Sequence, residues 1–71
     1  MTIKVLEVVK LKYLEYGDYF VFKGREQMYV CIGRFGDGSI HYQSTYSGRR
    51  YKSNFWDSNQ NSLVEILSYG D

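Results

Sequence analysis

The stretch from Tyr16 to Gln43, YGDYFVFKGREQMYVCIGRFGDGSIHYQ, constrains this chain more than any other. Aromatic and β-branched residues, which suit a pleated and half-buried surface, fill three runs, and Gly/Asp clusters separate them. The runs read as strands over Tyr19–Lys23, Gln27–Phe35 and Ser39–Ser44. Gly24-Arg25-Glu26 supplies one hairpin loop and Gly36-Asp37-Gly38 the other, the clearest turn in the chain. Side chains alternate across a strand, so Phe20 and Phe22 share a face, as do Ile40 and Tyr42. In the middle strand Met28, Val30 and Ile32 are expected to point inward, with Tyr29, Cys31 and Phe35 opposite. Arg34 shares the inward parity but reaches solvent from the strand's end.

The remaining segments extend the same pattern. Residues 2–12, TIKVLEVVKLK, place Ile3, Val5, Val9 and Leu11 on one alternating face with Glu7; their β-branched content favours a strand over a helix. Leu14 is expected to plug one end of the sheet, and Gly17-Asp18 marks a turn. Arg49–Ser53 reads as a short basic strand, and residues 54–61, NFWDSNQN, as a polar loop or single helical turn. Ser62–Ser68 closes the sheet with Val64 and Ile66 opposite Leu63 and Leu67, and Gly70-Asp71 reads as a frayed end. A chain of 71 residues supports one modest core, so residues 1–71 form a single domain. The expected fold is mostly β: a small, strongly bent antiparallel sheet or SH3-like barrel of five to six strands, with one short helical turn near residues 54–61. An α+β arrangement, with residues 54–61 or the N-terminal segment helical, is the alternative.

Composition narrows the function classes. With 44% hydrophobic and 24% charged residues the chain has the makeup of a globular domain rather than a disordered one. A net charge of +1 gives no global basic field of the kind a DNA-coating protein needs. The single cysteine, Cys31, excludes an internal disulfide and a multi-cysteine zinc site. A lone thiol suits a reducing compartment, and the N-terminal MTIKVLEVVKLK lacks the apolar run of a signal peptide. No stretch has the ~18 apolar residues of a membrane helix. A cytoplasmic location with no membrane partner is therefore expected, and no cofactor or metal is implied.

Catalysis requires a nucleophile with a base, paired carboxylates or a metal constellation. His41 is the only histidine. Counting back through the second hairpin makes Gly33 face His41, so Cys31 and His41 become diagonal neighbours on the outward parity. A packed thiol beside a surface imidazole accounts for that pair, and the carboxylates are scattered, so the sequence argues against an enzyme. Binding has more behind it. Arg49, Arg50 and Lys52 lie beside Tyr46 and Tyr51, with Arg34, His41 and Tyr42 on neighbouring strands. Residues 25–52 carry five cations (Arg25, Arg34, Arg49, Arg50, Lys52) against Glu26 and Asp37, a local excess of three. Basic groups interleaved with rings suit a ligand that offers both phosphate and a π-face, although Lys and Arg also blunt exposed sheet edges. Phe55-Trp56 either caps the open end of the sheet or leaves Trp56 as an exposed anchor, which Tyr13, Tyr16 and Tyr19 would extend.

Leu14-x-x-Gly17-Asp18-x-Phe20-x-Phe22, then Tyr29-Val30, a Gly/Asp turn, Ile40-x-Tyr42 and the closing Val64-x-Ile66-Leu67 form a pattern across most of the chain. It resembles that of small SH3-like accessory proteins that phages make to act on host machinery or host defence. The resemblance rests on core and turn positions and carries over no functional residue. It implies an accessory protein in the host cytoplasm that inhibits or redirects a host protein, and the residues themselves put such binding on an aromatic and basic face. The alternative is a nucleotide or single-stranded nucleic-acid binder, including one that sequesters a signalling nucleotide. Arg34, His41, Tyr42, Tyr46, Arg49, Arg50, Tyr51, Lys52 and Trp56 are the candidate binding residues in either case. A marginal core and open sheet edges also make a homodimer an expectation.

Overall fold

The computed structural model describes residues 2–70. Six antiparallel strands form one sheet: β1 (Thr2–Lys10), β2 (Tyr19–Phe22), β3 (Met28–Arg34), β4 (Ile40–Ser44), β5 (Arg50–Ser53) and β6 (Leu63–Gly70). A first 3-10 turn, Leu11–Tyr13, follows β1, and a second, Ser58–Asn61, precedes β6. The strand order is β1-β6-β2-β3-β4-β5. A four-strand meander (β2–β5), a 3-10 turn and a last strand, β6, that returns to pair with β2 follow β1. β1 forms the edge of the sheet, paired with β6 on the side away from β2. The expected mostly-β fold is what the chain adopts, including a turn of helix within 54–61; the strand expected over residues 2–12 ends at Lys10, and Leu11 and Lys12 belong to the first 3-10 turn. β6 runs through Gly70, where fraying was expected; Asp71 and the side chain of Ile3 lie outside the described residues.

Local chemistry explains the connections. Gly17 takes φ +87°, a left-handed conformation that glycine adopts without steric cost. Its N–H donates to Cys31 O (2.9 Å), and Cys31 N–H donates to Asp18 O (2.8 Å), so the Gly17-Asp18 turn stitches onto β3. The Asp18 carboxylate accepts from Glu15 N–H (2.9 Å) and completes that turn. At the β3–β4 hairpin, Asp37 Oδ1 accepts from both the N–H (2.9 Å) and the hydroxyl (2.6 Å) of Ser39.

The core consists of Leu11, Leu14, Phe20 and Ile40 with Val64 and Ile66, joined by Tyr29, Cys31 and Tyr42. Leu14 is fully buried in this core. Each fully buried Leu, Ile, Val or Phe contributes about 1.5–3 kcal/mol, so these few side chains dominate the stability of so small a domain. The alternation in β3 is the reverse of the expected one. Tyr29 and Cys31 point inward, opposite Ser44 and Tyr42, while Met28 and Val30 lie half-buried on the outer face. The rings of Phe20, Tyr29 and Tyr42 fill the interior, with Phe20–Tyr29 centroids at 5.7 Å and Tyr29–Tyr42 at 5.4 Å. An interior this narrow is filled by rings, and aliphatic residues are sufficient for the outer face. A bulge then inserts Ile32 between Cys31 and Gly33.

Candidate functional site

Four inward-facing rings outnumber what the core can enclose, and they open onto a pocket of about 590 Å³. That size falls within the range of small-molecule sites. Phe22 comes from the end of β2, Tyr29 from β3, Tyr42 from β4 and Tyr51 from β5. They are one aromatic assembly. Tyr42 and Tyr51 stack at 5.4 Å with 17° between planes, and Phe22 stands edge-on to Tyr29 (5.6 Å) and Tyr42 (5.9 Å). Asn59, Ser62 and Leu63 close the far wall, where the second 3-10 turn crosses from β5 to β6.

Charge is added at the rim. The β2–β3 loop supplies Lys23 and Arg25, and no carboxylate lines the pocket among the described residues. The Arg25 guanidinium sits 5.8 Å from the Phe22 ring centroid, and that of Arg49 sits 5.7 Å from the Tyr51 ring. Both are within cation–π range. Gln27 Nε2 donates to Ser44 Oγ (2.7 Å), which pins the Arg25 loop to the β4–β5 turn that carries Arg49. Ser44 Oγ also accepts from the N–H groups of Tyr46 and Ser47 (3.2 Å each), so one buried hydroxyl organises both cationic loops.

The opposite wall is equally fixed. Gln60 is buried, and its Nε2 donates to Gly38 O (2.9 Å) and Ser53 O (3.0 Å). Ser53 Oγ donates to Asn59 Oδ1 (2.6 Å). The second 3-10 turn is thereby held to the end of β5 and to the β3–β4 turn. Burial pushes the Tyr42 phenol above its ordinary value; the neighbouring Tyr29 and Tyr51 phenols add to this, and Arg25 opposes it. Tyr42 thus remains a neutral hydroxyl donor through the physiological range. Among the described residues no hydrogen bond engages the Tyr29, Tyr42 or Tyr51 hydroxyls, and none of them is a buried atom without a partner. They are open to a ligand's acceptors.

Of the candidate residues, Tyr42 and Tyr51 line this pocket, and Arg49 stands beside it through its contact with the Tyr51 ring. Arg50 and Lys52 alternate with Tyr51 and stand on the outer face of β5, opposite Gln43 and His41. His41 packs against Phe35, ring centroids 4.2 Å apart. Arg34 lies exposed at the end of β3, opposite Ile40. Tyr46 projects from the β4–β5 turn, 92% exposed. Phe55 and Trp56, at 63% and 70% exposure, do not cap the barrel. Phe55 lies instead against Gly38, so close that a Cβ there would come within 2.7 Å of the Phe55 Cβ.

The diagonal Cys31–His41 pair does not form. The bulge puts Cys31 on the inner face opposite Tyr42 while His41 faces outward opposite Gly33. Burial pushes the Cys31 thiol up, with Asp18 adding to the rise and the Gly33 backbone and Arg34 opposing it. Sequence reasoning missed Phe22, Lys23, Arg25, Tyr29, Asn59, Ser62 and Leu63. Phe22 and Tyr29 carried a signal, since too many rings were available for one narrow core. Asn59 and Ser62 carried none, being polar residues in a polar loop.

Neither a protein-family model, nor a curated protein, nor a solved structure matches the chain. Among the described residues no helix is long and apolar enough to cross a membrane, and no cluster of ligating side chains suits a metal ion.

Proposed function

We propose that this protein is a non-enzymatic binding module whose aromatic pocket receives a planar ring carrying an anionic group. A nucleotide has that chemistry, as does one base-and-phosphate unit of a single-stranded nucleic acid. The observation that carries the reading is the combination of four rings with Lys23 and Arg25 in a pocket without a lining carboxylate. Rings supply a π-face for any base, and a guanidinium holds phosphate bidentately while stacking. The three free phenols add donors for ring or phosphate oxygens.

A thermal-shift scan with mononucleotides at low and high salt tests this. A ligand that binds only the folded state adds about 2.7 kcal/mol at a hundred times its Kd, a shift of about 10 °C or more for a domain this size. The expected shift shrinks with salt and is lost in Arg25→Ala, an exposed position. A flat scan, or a shift indifferent to Arg25→Ala, overturns the reading.

A second reading is favoured by the other end of the barrel. Phe35, Phe55 and Trp56 are exposed there on the β3–β4 turn and the β5–β6 connection. Aromatic anchors of this kind dominate protein interfaces, and docking on a host protein of a phage fits them. Trp56→Ala would abolish such binding, which salt would barely weaken.

A further inference from the structure

The pocket does not account for the cations on the outer side of β5. Arg50 and Lys52 project from the same face of this edge strand, two residues apart, which is about 6.8 Å at the rise of an antiparallel strand. That spacing is comparable to the separation of successive phosphates along an extended single strand. Beside them on the same face lie Gln43 and His41, their partners in β4. His41 in turn faces Gly33, where an added Cβ would meet nothing within 4 Å, so the floor there is bare. Phe35, packed on His41, offers an exposed ring next to that floor. Asp37 is the carboxylate whose field reaches Lys52, and its oxygen is already engaged by Ser39.

Just before the same edge strand, the Arg49 guanidinium lies 5.7 Å from the ring of Tyr51, which lines the pocket. From these positions we infer that the ligand is a short single strand that wraps the β5 edge. One base sits in the pocket, the next phosphates lie on Arg50 and Lys52, and a following base stacks at Phe35 and His41. β5 is the last strand of the sheet and pairs with β4 alone, and the second 3-10 turn ties down its Ser53 end, so no further strand among the described residues blocks passage over the edge at Arg50–Lys52. The inference rests on the pocket reading and extends it from a single nucleotide to a strand of a few.

The test is isothermal titration of oligothymidylates of one, two, four and six nucleotides into the wild-type chain and the Arg50→Ala/Lys52→Ala variant. Both substitutions are at exposed side chains, and circular dichroism confirms folding. Affinity is expected to rise from one to about four nucleotides and then level off. In the double variant the mononucleotide affinity stays and the gain with length disappears. Two fewer neutralised phosphates lower the log–log salt slope by about 1.4 for a single strand, so raising salt from about 50 to about 200 mM weakens six-nucleotide binding about sevenfold less than in the wild type. A mononucleotide bound as tightly as the longer strands overturns the strand and leaves the pocket standing. A length gain that survives the double substitution also overturns it. Absence of binding at every length overturns both readings.

Discussion

Replacing Gln60 by Leu separates the hydrogen bonds of this side chain from its volume. The two residues are similar in size, and position 60 is buried, so the leucine fits where the amide was. What is lost is a pair of bonds from Nε2, to Gly38 O at 2.9 Å and to Ser53 O at 3.0 Å. A typical intramolecular hydrogen bond contributes about 1 kcal/mol net, and a buried acceptor left without its partner costs about 1–3 kcal/mol. The Gly38 carbonyl is half-buried and recovers water; the Ser53 contact is buried and does not. The expected destabilisation is therefore about 2–3 kcal/mol, which for a domain of this size lowers Tm by about 10–20 °C. Urea denaturation should show the midpoint falling by about 2 M with the slope unchanged. Asn61→Leu, an exposed position in the same turn, serves as the control and should move the midpoint little. Because Gln60 fixes the wall containing Asn59 and Ser62, nucleotide binding should weaken in the folded variant as well. A loss under about 0.5 kcal/mol, or weakened stability with unchanged binding, would refute the assignment of this amide as the tie that shapes the pocket.

Three further outcomes follow from particular residues. Tyr42→Phe removes a phenol whose folded-state value is raised, so the wild type holds full stability below the ordinary phenol range and loses part of it as pH rises through and beyond that range; the variant's alkaline limb, followed by urea melts at stepped pH, should be flatter. Cys31 is buried and its thiol is pushed up, so alkylation by iodoacetamide in native buffer should be slow and should accelerate to the free-thiol rate in denaturant; rapid native labelling would contradict the inward placement of β3. Gly38→Ala combines a φ of +84° with a contact of 2.7 Å to Phe55 Cβ and should cost about 2 kcal/mol or more, measured by thermal melting. Phe55→Ala keeps that Cβ and should not rescue it.

The sequence disclosed the barrel more readily than the pocket, for physical reasons. Turns depend on local chemistry, so Gly17-Asp18 and Gly36-Asp37-Gly38 could be read directly. Strand faces depend on what the bent sheet can enclose. β3 offers an aliphatic set (Met28, Val30, Ile32) and a mixed set (Tyr29, Cys31), and either alternation is acceptable to an isolated strand. Only the packing of Tyr29 between Phe20 and Tyr42 selects one, and the bulge at Ile32 then turns His41 away from Cys31. The same limit applies to the site. Tyr42, Tyr51 and Arg49 were legible as rings and cations close in sequence, whereas Arg25 reaches them through a loop pinned by Gln27 to Ser44, a contact across 17 positions. Arg34, Arg50 and Lys52 share the composition but occupy other faces, since a strand separates neighbours that a compositional window joins.

The sign of the ligand's charge follows from what already occupies the rings. An aromatic box by itself favours a cation, because each ring face presents the negative part of its quadrupole. Here two of the four rings hold cations from the chain itself, Arg25 over Phe22 and Arg49 over Tyr51. An incoming quaternary ammonium would have to displace a guanidinium from a ring and then sit beside the displaced charge and Lys23, with no lining carboxylate to offset the repulsion. An anion has neither difficulty, since it adds to the guanidinium edge while a planar group covers ring surface the arginines leave open. Choline should therefore produce no thermal shift at concentrations where a nucleotide does, and Arg25→Ala/Arg49→Ala should reverse the preference. If choline stabilises the wild-type protein and the double substitution weakens it, the two arginines are not the groups that set the charge of the ligand.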